Sequence, residues 1–223
     1  MSVAPLNLAW ATQTHARETS SALGEPDWLT ADRLAALDRV AALPAEPNQL
    51  YITYFDLRAV DFAAVEPYPP MPAARCKADA ELPQGAAAIV HVDERALVSC
   101  SLSDEAREKG IVITSLAQAA VETPELVREL LEGGGSLPDD DAFGQVARAF
   151  HSLGIFIRVP DGAQLRAPIV LRWSAGAPGF GLISRTLVSV GANAHASIYE
   201  EQVASAEATT EAGARADSIW WGT

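Results

Sequence analysis

From Gly154 onward, small and apolar residues alternate with polar ones, and the alternation recurs. Gly162-Ala163-x-Leu165-x-Ala167-x-Ile169 is echoed by Gly191-Ala192-x-Ala194-x-Ala196-x-Ile198, an offset of 29 residues. Period two predicts strands with one buried face, and recurrence at a fixed spacing predicts stacked repeats. A single rung cannot bury its inner face alone, so the pattern predicts a β-solenoid of neighbouring rungs. The apolar run Ser218-Ile-Trp-Trp221 close to Thr223 is unlike a frayed polar terminus, so a longer solenoid protein is expected, of which this is the front part.

Upstream the pattern changes to helical spacing. Residues 7–23 predict a helix begun by Asn7 and ended by Gly24. Thr30 is placed to cap a second, with Leu34, Leu37 and Ala41 on one face and Pro44 as its stop. Gly24-Glu-Pro-Asp-Trp-Leu29 forms the corner between them. Residues 44–83 are extended and proline-punctuated, with an edge strand predicted at Ile52-Thr-Tyr-Phe55. Pro67-Tyr-Pro-Pro-Met-Pro72 is the stiffest part, a rigid loop rather than a PxxP-type ligand. Residues 86–99 predict a hairpin turning at Asp93-Glu94, and Gly110-Ile-Val-Ile-Thr114 a further strand.

Thr123-Pro124-Glu125 has the composition of a helix start, and Leu126, Val127, Leu130 and Leu131 form its apolar stripe. Gly133-Gly-Gly135 ends it. Asp139-Asp-Asp141 then opens a helix with Phe143, Val146, Ala147 and Phe150 on one face. The organisation expected is a helical hairpin over 1–45, a Pro-rich connector over 46–85, a small α/β segment over 86–152, and solenoid rungs over 153–223.

Composition narrows the function classes. The 223 residues carry a net charge of -13, with basic residues scattered and only two lysines, Lys77 and Lys109. A phosphate backbone needs concentrated positive charge, so nucleic acid is a poor partner. No apolar run approaches the ~20 residues of a membrane span. No basic residue precedes the apolar positions of Met1 to Trp10, so no secretory leader is expected and the cytoplasm is the default.

Candidate chemistry is sparse. Cys76 and Cys100 stand in no C-x-x-C and beside no histidine at ligand spacing, so both read as reduced, partly buried thiols. Asp139-Asp-Asp141 lacks the spaced ligands and closing Glu of a calcium loop, and Gly133-Gly-Gly135 lacks the Lys-Ser/Thr of a phosphate loop. His15, His91, His151 and His195 show no paired spacing; His91 and His195 are placed on strands. Glu200 and Glu201 are adjacent on a strand and point to opposite faces, so they do not converge as a carboxylate pair. No residue is put forward as catalytic or metal-binding, and an enzyme is not expected.

The pieces together resemble a known family. Gly24-Glu-Pro-Asp-Trp-Leu29 with Arg33 and Leu37 is similar to the G-E-P-x-W-x…R…A-L opening of SufB and SufD, scaffold subunits of iron–sulfur cluster assembly. Tyr54-Phe-Asp-Leu57 resembles their Y-T-D-L segment. Gly110-Ile-Val-Ile-Thr-Ser-Leu116 with Pro124-Glu-Leu-Val127 resembles their G-I-x-V-x-x-L and P-E-L-V stretches. Phe150-His-Ser-Leu-Gly-Ile-Phe-Ile-Arg-Val-Pro-Asp-Gly162 is the strongest match, to A-x-x-x-G-x-F-I-x-V-P-K-G. Arg185-Thr-Leu-Val188 and Ile198-Tyr-Glu-Glu201 extend it, so it covers the chain from about residue 20 onward.

The resemblance implies an α+β, mainly β chain: an N-terminal helical region followed by the start of a right-handed parallel β-helix. It implies pairing of SufB with SufD, docking of the ATPase SufC on later helices, and sulfur supplied by a cysteine desulfurase system. The chain alone is expected to hold no cofactor. The assembly is expected to hold an iron–sulfur cluster and, in some cases, reduced flavin.

SufB typically has E-G-C-T after its Y-x-E strand, with a cysteine that handles sulfur. Here the matching run is Glu200-Glu-Gln-Val203, and Gln202 stands at that position. A carboxamide cannot carry a persulfide, which needs a thiolate. The chain therefore resembles SufD more than SufB. Arg172 matches a basic residue lining the SufB β-helix, but Ser174 departs nearby, so no site is assigned there. Two other readings stand beside this one: a β-helix carbohydrate-active enzyme, which needs convergent carboxylates and an aromatic groove, and a stand-alone interaction module.

Overall fold

In the computed structural model, the residues described are 6, 8–43, 51–52, 55–56, 62–70, 82–93, 97–132, 138–177, 179–204 and 219–221. The chain opens with two helices, α1 (Gln13–Leu23) and α2 (Asp27–Ala42). The Thr12 hydroxyl accepts from the His15 amide and caps α1, and Gly24 closes it at φ 68°. The first helix thus begins six residues later than its apolar pattern predicts, where the Thr12 hydroxyl satisfies an orphan amide; Asn7, the expected start, lies outside the described residues. Thr30 is not a cap either. It lies inside α2, which starts behind Pro26 with Asp27 facing the helix dipole.

Short strands β1 (Tyr51–Ile52) and β2 (Phe55–Asp56) pair antiparallel with each other, which replaces the predicted edge strand. After β3 (Glu66–Pro67) come β4 (Ala88–Asp93) and β5 (Leu97–Leu102), an antiparallel hairpin where the sequence predicts one. The short helix α3 (Asp104–Glu108) leads to β6 (Val112–Ser115). Next come α4 (Leu116–Glu122), which the sequence reading missed, and α5 (Pro124–Glu132). Thr123 serves the helix before it: its hydroxyl donates to the Ala119 carbonyl at 3.1 Å. Helix α6 (Ala142–Phe150) is capped by Asp141, whose carboxylate accepts from the Phe143 amide at 3.0 Å. Strands β7 (Leu153–Val159), β8 (Ile169–Ala175), β9 (Phe180–Val190), β10 (Ile198–Ala204) and β11 (Ile219–Trp221) follow.

These strands form two mixed sheets. One runs β10-β8-β4-β5; the other runs β11-β9-β7-β6, with β3 added alongside β9. Successive strands from β7 onward alternate between the sheets, and most neighbours are parallel. β5 runs antiparallel to β4 and β6 antiparallel to β7, which makes both sheets mixed.

The expected β-helix is therefore corrected. The chain is a mixed α/β structure whose described residues form no closed solenoid. The reason lies in what covers β7. Ile155, Ile157 and Val159 face the other sheet, in a core shared with Val90, Leu171 and Trp173. Phe156, on the opposite face, is buried against Leu29, Leu116, Val127 and Leu131 of the helices. A solenoid rung has one buried face, whereas β7 is buried on both, between a sheet and a helical layer.

The 29-residue echo survives as a register. Ile198 pairs with Ile169 and Glu201 with Arg172 along parallel β10 and β8, and Gln164 bridges to His195. Among the described residues no helix is long and apolar enough to cross a membrane.

Candidate functional site

The most tightly organised polar group in the described structure is a buried knot of Glu25, Arg33 and His151. Three segments supply it. The turn after Gly24 presents Glu25, the middle of α2 presents Arg33, and the residue that ends α6 is His151. The side chains of Glu25 and His151 are each 1% exposed and that of Arg33 is fully buried.

Geometry explains why a charge is tolerated there. Arg33 grips the Glu25 carboxylate with two parallel bonds, Nε to Oε2 at 2.6 Å and Nη2 to Oε1 at 2.7 Å. The rest of the guanidinium donates to the Ala149 carbonyl at 3.0 Å and the His151 carbonyl at 3.0 Å. Such bidentate, charge-assisted contacts are what make a buried pair sustainable. The two carbonyls are orphans of the last turn of α6, so the same arginine also closes that helix.

His151 completes the arrangement. Its Nδ1 lies 3.1 Å from the Ala147 carbonyl, which can only accept, so Nδ1 carries the proton. Its Nε2 lies 2.9 Å from Arg33 Nη2, which can only donate, so Nε2 is bare. The ring is neutral. Burial, then the Arg33 charge, hold its pKa down at about 4, against the opposing pull of Glu25. Burial pushes the Glu25 carboxyl up, but Arg33 more than reverses this and leaves it at about 2. Both groups thus keep the protonation states their contacts require.

Behind the knot lies a cavity of about 20 Å³, lined by Glu25, His151, Ser152, Leu116, Gly154 and Ile155 among others. It has room for little more than a water molecule. A second ionic contact, the Asp32 carboxylate with Arg148 Nε at 2.9 Å, ties α2 to α6 through the residues next to Arg33 and Ala149.

The residues singled out from sequence are dispersed. Cys100 is a buried thiol on β5, and Cys76 lies outside the described residues, as do Tyr54 and Leu57. Arg172 and Glu201 form an ion pair at 2.8 Å, both partly exposed. Gln202 is exposed on β10, opposite Trp173, and Ser174 is half-buried on β8. His91 is on β4, whereas His195 makes a single bridge rather than lying in a strand. Among the described residues no three His, Cys, Asp or Glu side chains come together to hold a metal.

The knot itself was missed as a site. Its members, Glu25, Arg33 and His151, all lie in segments quoted for the family resemblance, but spacing alone gives no hint that they meet. Comparison of the chain with protein-family models finds no match, and comparison with curated proteins finds no significant relative.

Proposed function

We propose that this chain is a SufD-like scaffold subunit, acting in the cytoplasm in iron–sulfur cluster assembly with SufB-like and SufC-like partners. One observation supports the reading above others: the segments that carry the resemblance are interlocked. Arg33 of the G-E-P-x-W…R opening grips the Phe150-His-Ser-Leu-Gly segment through His151 and Ala149. Thr114 of the G-I-V-I-T run pairs with Phe156 of the F-I-R-V-P run, and Leu187 of Arg185-Thr-Leu-Val188 pairs with the same Phe156. Ile198-Tyr-Glu-Glu201 lies alongside Ile169–Arg172. A signature spread across the chain has to meet in one framework, as these segments do.

The role is structural and non-enzymatic in this reading, with the cluster as cargo of the assembly rather than a resident group of this chain. Gln202 favours SufD over SufB, since a carboxamide has no thiolate with which to accept sulfur. Sulfur then reaches the assembly from the desulfurase system through the SufB-like partner.

The test is co-expression of the complete reading frame with the SufB-like and SufC-like proteins of the same organism. Stoichiometric co-purification of all three is the expected result. Failure to capture either partner, with the chain folded by circular dichroism, overturns the proposal.

A further inference from the structure

The knot does more than fill space, because Arg33 joins the α1–α2 hairpin to the body of the protein through the Ala149 carbonyl and through the ring and carbonyl of His151. Glu25 and Arg33 belong to the hairpin; His151 and the Ala147 and Ala149 carbonyls belong to the end of α6, where the chain enters β7. Farther along α2 the hairpin is held differently, by apolar contact of Ala36, Leu37 and Val40 with Val146, Ala147 and Phe150. At the turn end itself Leu29 is buried with Leu116, Val127 and Phe156, so the buried charges sit at that end while apolar packing runs along α2.

We propose that the Glu25–Arg33–His151 knot is an acid-releasable latch on the α1–α2 turn. The geometry sets its sense. With Nδ1 donating to Ala147, a second proton on the imidazole must go to Nε2, which faces the Arg33 Nη2 donor at 2.9 Å. Protonation turns an acceptor into a donor and sets cation against cation in a buried site.

The charged groups around the ring are Arg33 from α2, Glu25 from the turn and Arg185 from β9. The two arginines oppose protonation. Glu25, with Oε1 3.6 Å from Nε2, favours it, but its carboxylate is already held at both oxygens by Arg33. The ring and the guanidinium then compete for one carboxylate, and the polar hold on the turn loosens while the packing of Ala36, Leu37 and Val40 keeps α2 docked. Loosening the turn opens the small cavity behind it.

Hydrogen exchange along a pH series from 7 to 3.5 tests the latch. The reporters are turn amides: Gly24 bonded to Ser21, Glu25 to Ser20, and Leu29 and Thr30 to Pro26. They are expected to lose protection at a higher pH than the β7 and β9 amides, with a midpoint that tracks the His151 ring resonance. His151→Gln keeps an acceptor and a donor but does not titrate, so it is expected to shift turn release downward by roughly half a pH unit or more. Simultaneous loss of protection in turn and strands overturns the latch. So does a turn midpoint unrelated to the ring titration. These wild-type readings decide the matter even if His151→Gln folds poorly.

Discussion

Arg172 and Glu201 stand side by side on adjacent parallel strands, Nε to Oε2 2.8 Å apart, in the same register that pairs Ile169 with Ile198. Both side chains are more than a third exposed, at 39% and 44%. Water and salt therefore screen the pair, and its contribution is modest. Arg172→Ala and Glu201→Ala are each expected to change unfolding free energy by less than about 1 kcal/mol. A double-mutant cycle by urea denaturation should give a coupling that vanishes at high salt. A large, salt-insensitive coupling would show that a buried role had been missed.

The second prediction concerns the two glycines of the repeat, which look equivalent in sequence and are not. Gly162 sits at φ 70° with open space around it, so its need is conformational. Gly191 has no such backbone, but a Cβ there would lie 2.3 Å from Asp161 Oδ1 and 2.5 Å from the Asp161 amide nitrogen. That carboxylate is not free to leave, since it accepts from the Ala192 amide at 2.8 Å. Gly191→Ala should therefore cost about 1–3 kcal/mol as overpacking against backbone. Gly162→Ala should cost about 1 kcal/mol through strain in the left-handed region. Thermal denaturation of both variants checks the order. A Gly191→Ala protein as stable as the parent would mean that the two turns do not stack as described.

Those glycines show what the sequence could and could not disclose. Turn positions and period-two strands were legible because they depend on local backbone preference and one-sided burial. The identity of the second face was not. Phe156 reads from the sequence as an inward position of a rung, yet it packs against the helices over β7 and not in the core between the sheets. Helix α4 was hidden for a related reason: Leu116, Ala119 and Ala120 form a stripe too short and too rich in alanine to stand out. The knot was hidden because Arg33 and His151 are far apart in the chain, and a buried arginine looks like any exposed one in sequence.

Phe156→Asp tests the layered architecture directly. The parent ring is 2% exposed and lies in the apolar cluster with Leu29, Leu116 and Val127. An aspartate there is buried without a partner, at a cost of several kcal/mol, roughly the scale of a whole domain's stability. The expected outcome is an unfolded or aggregated protein. Phe156→Leu, which keeps an apolar side chain, should fold with a loss of about 1–2 kcal/mol. If Phe156→Asp melted like the parent, the helical layer could not be covering β7.

Replacing Arg33 separates charge from shape. Arg33→Met removes the cation and strands the Glu25 carboxylate, with an expected loss of about 3–5 kcal/mol. Arg33→Lys restores charge but not the fork that holds Glu25, Ala149 and His151 together, so it should recover only part of that loss. Glu25→Gln combined with Arg33→Met removes both charges of the pair and is expected to be more stable than Arg33→Met alone. Equal stability of Arg33→Met and the double variant would show that Glu25 reaches water once Arg33 is gone.

The same cluster sets the acid limb of the stability curve, and the sign follows from two depressed pKa values. The folded protein holds His151 neutral with a pKa of about 4, against an ordinary 6.5, so the unfolded chain binds the extra proton first. Stability therefore falls as pH drops below about 6.5, by up to roughly 1.4 kcal/mol per pH unit, until the folded ring also titrates. Glu25, at about 2 against 4.5, adds its own loss as pH falls below about 4.5. Urea denaturation at stepped pH should show a decline starting near pH 6.5 and steepening below 4.5. In His151→Gln the upper part of that decline should shrink, leaving what His15, also held down by burial, contributes, while the lower part remains because Glu25 still titrates. A profile flat from pH 7 to 5 in the parent protein would place His151 in contact with solvent.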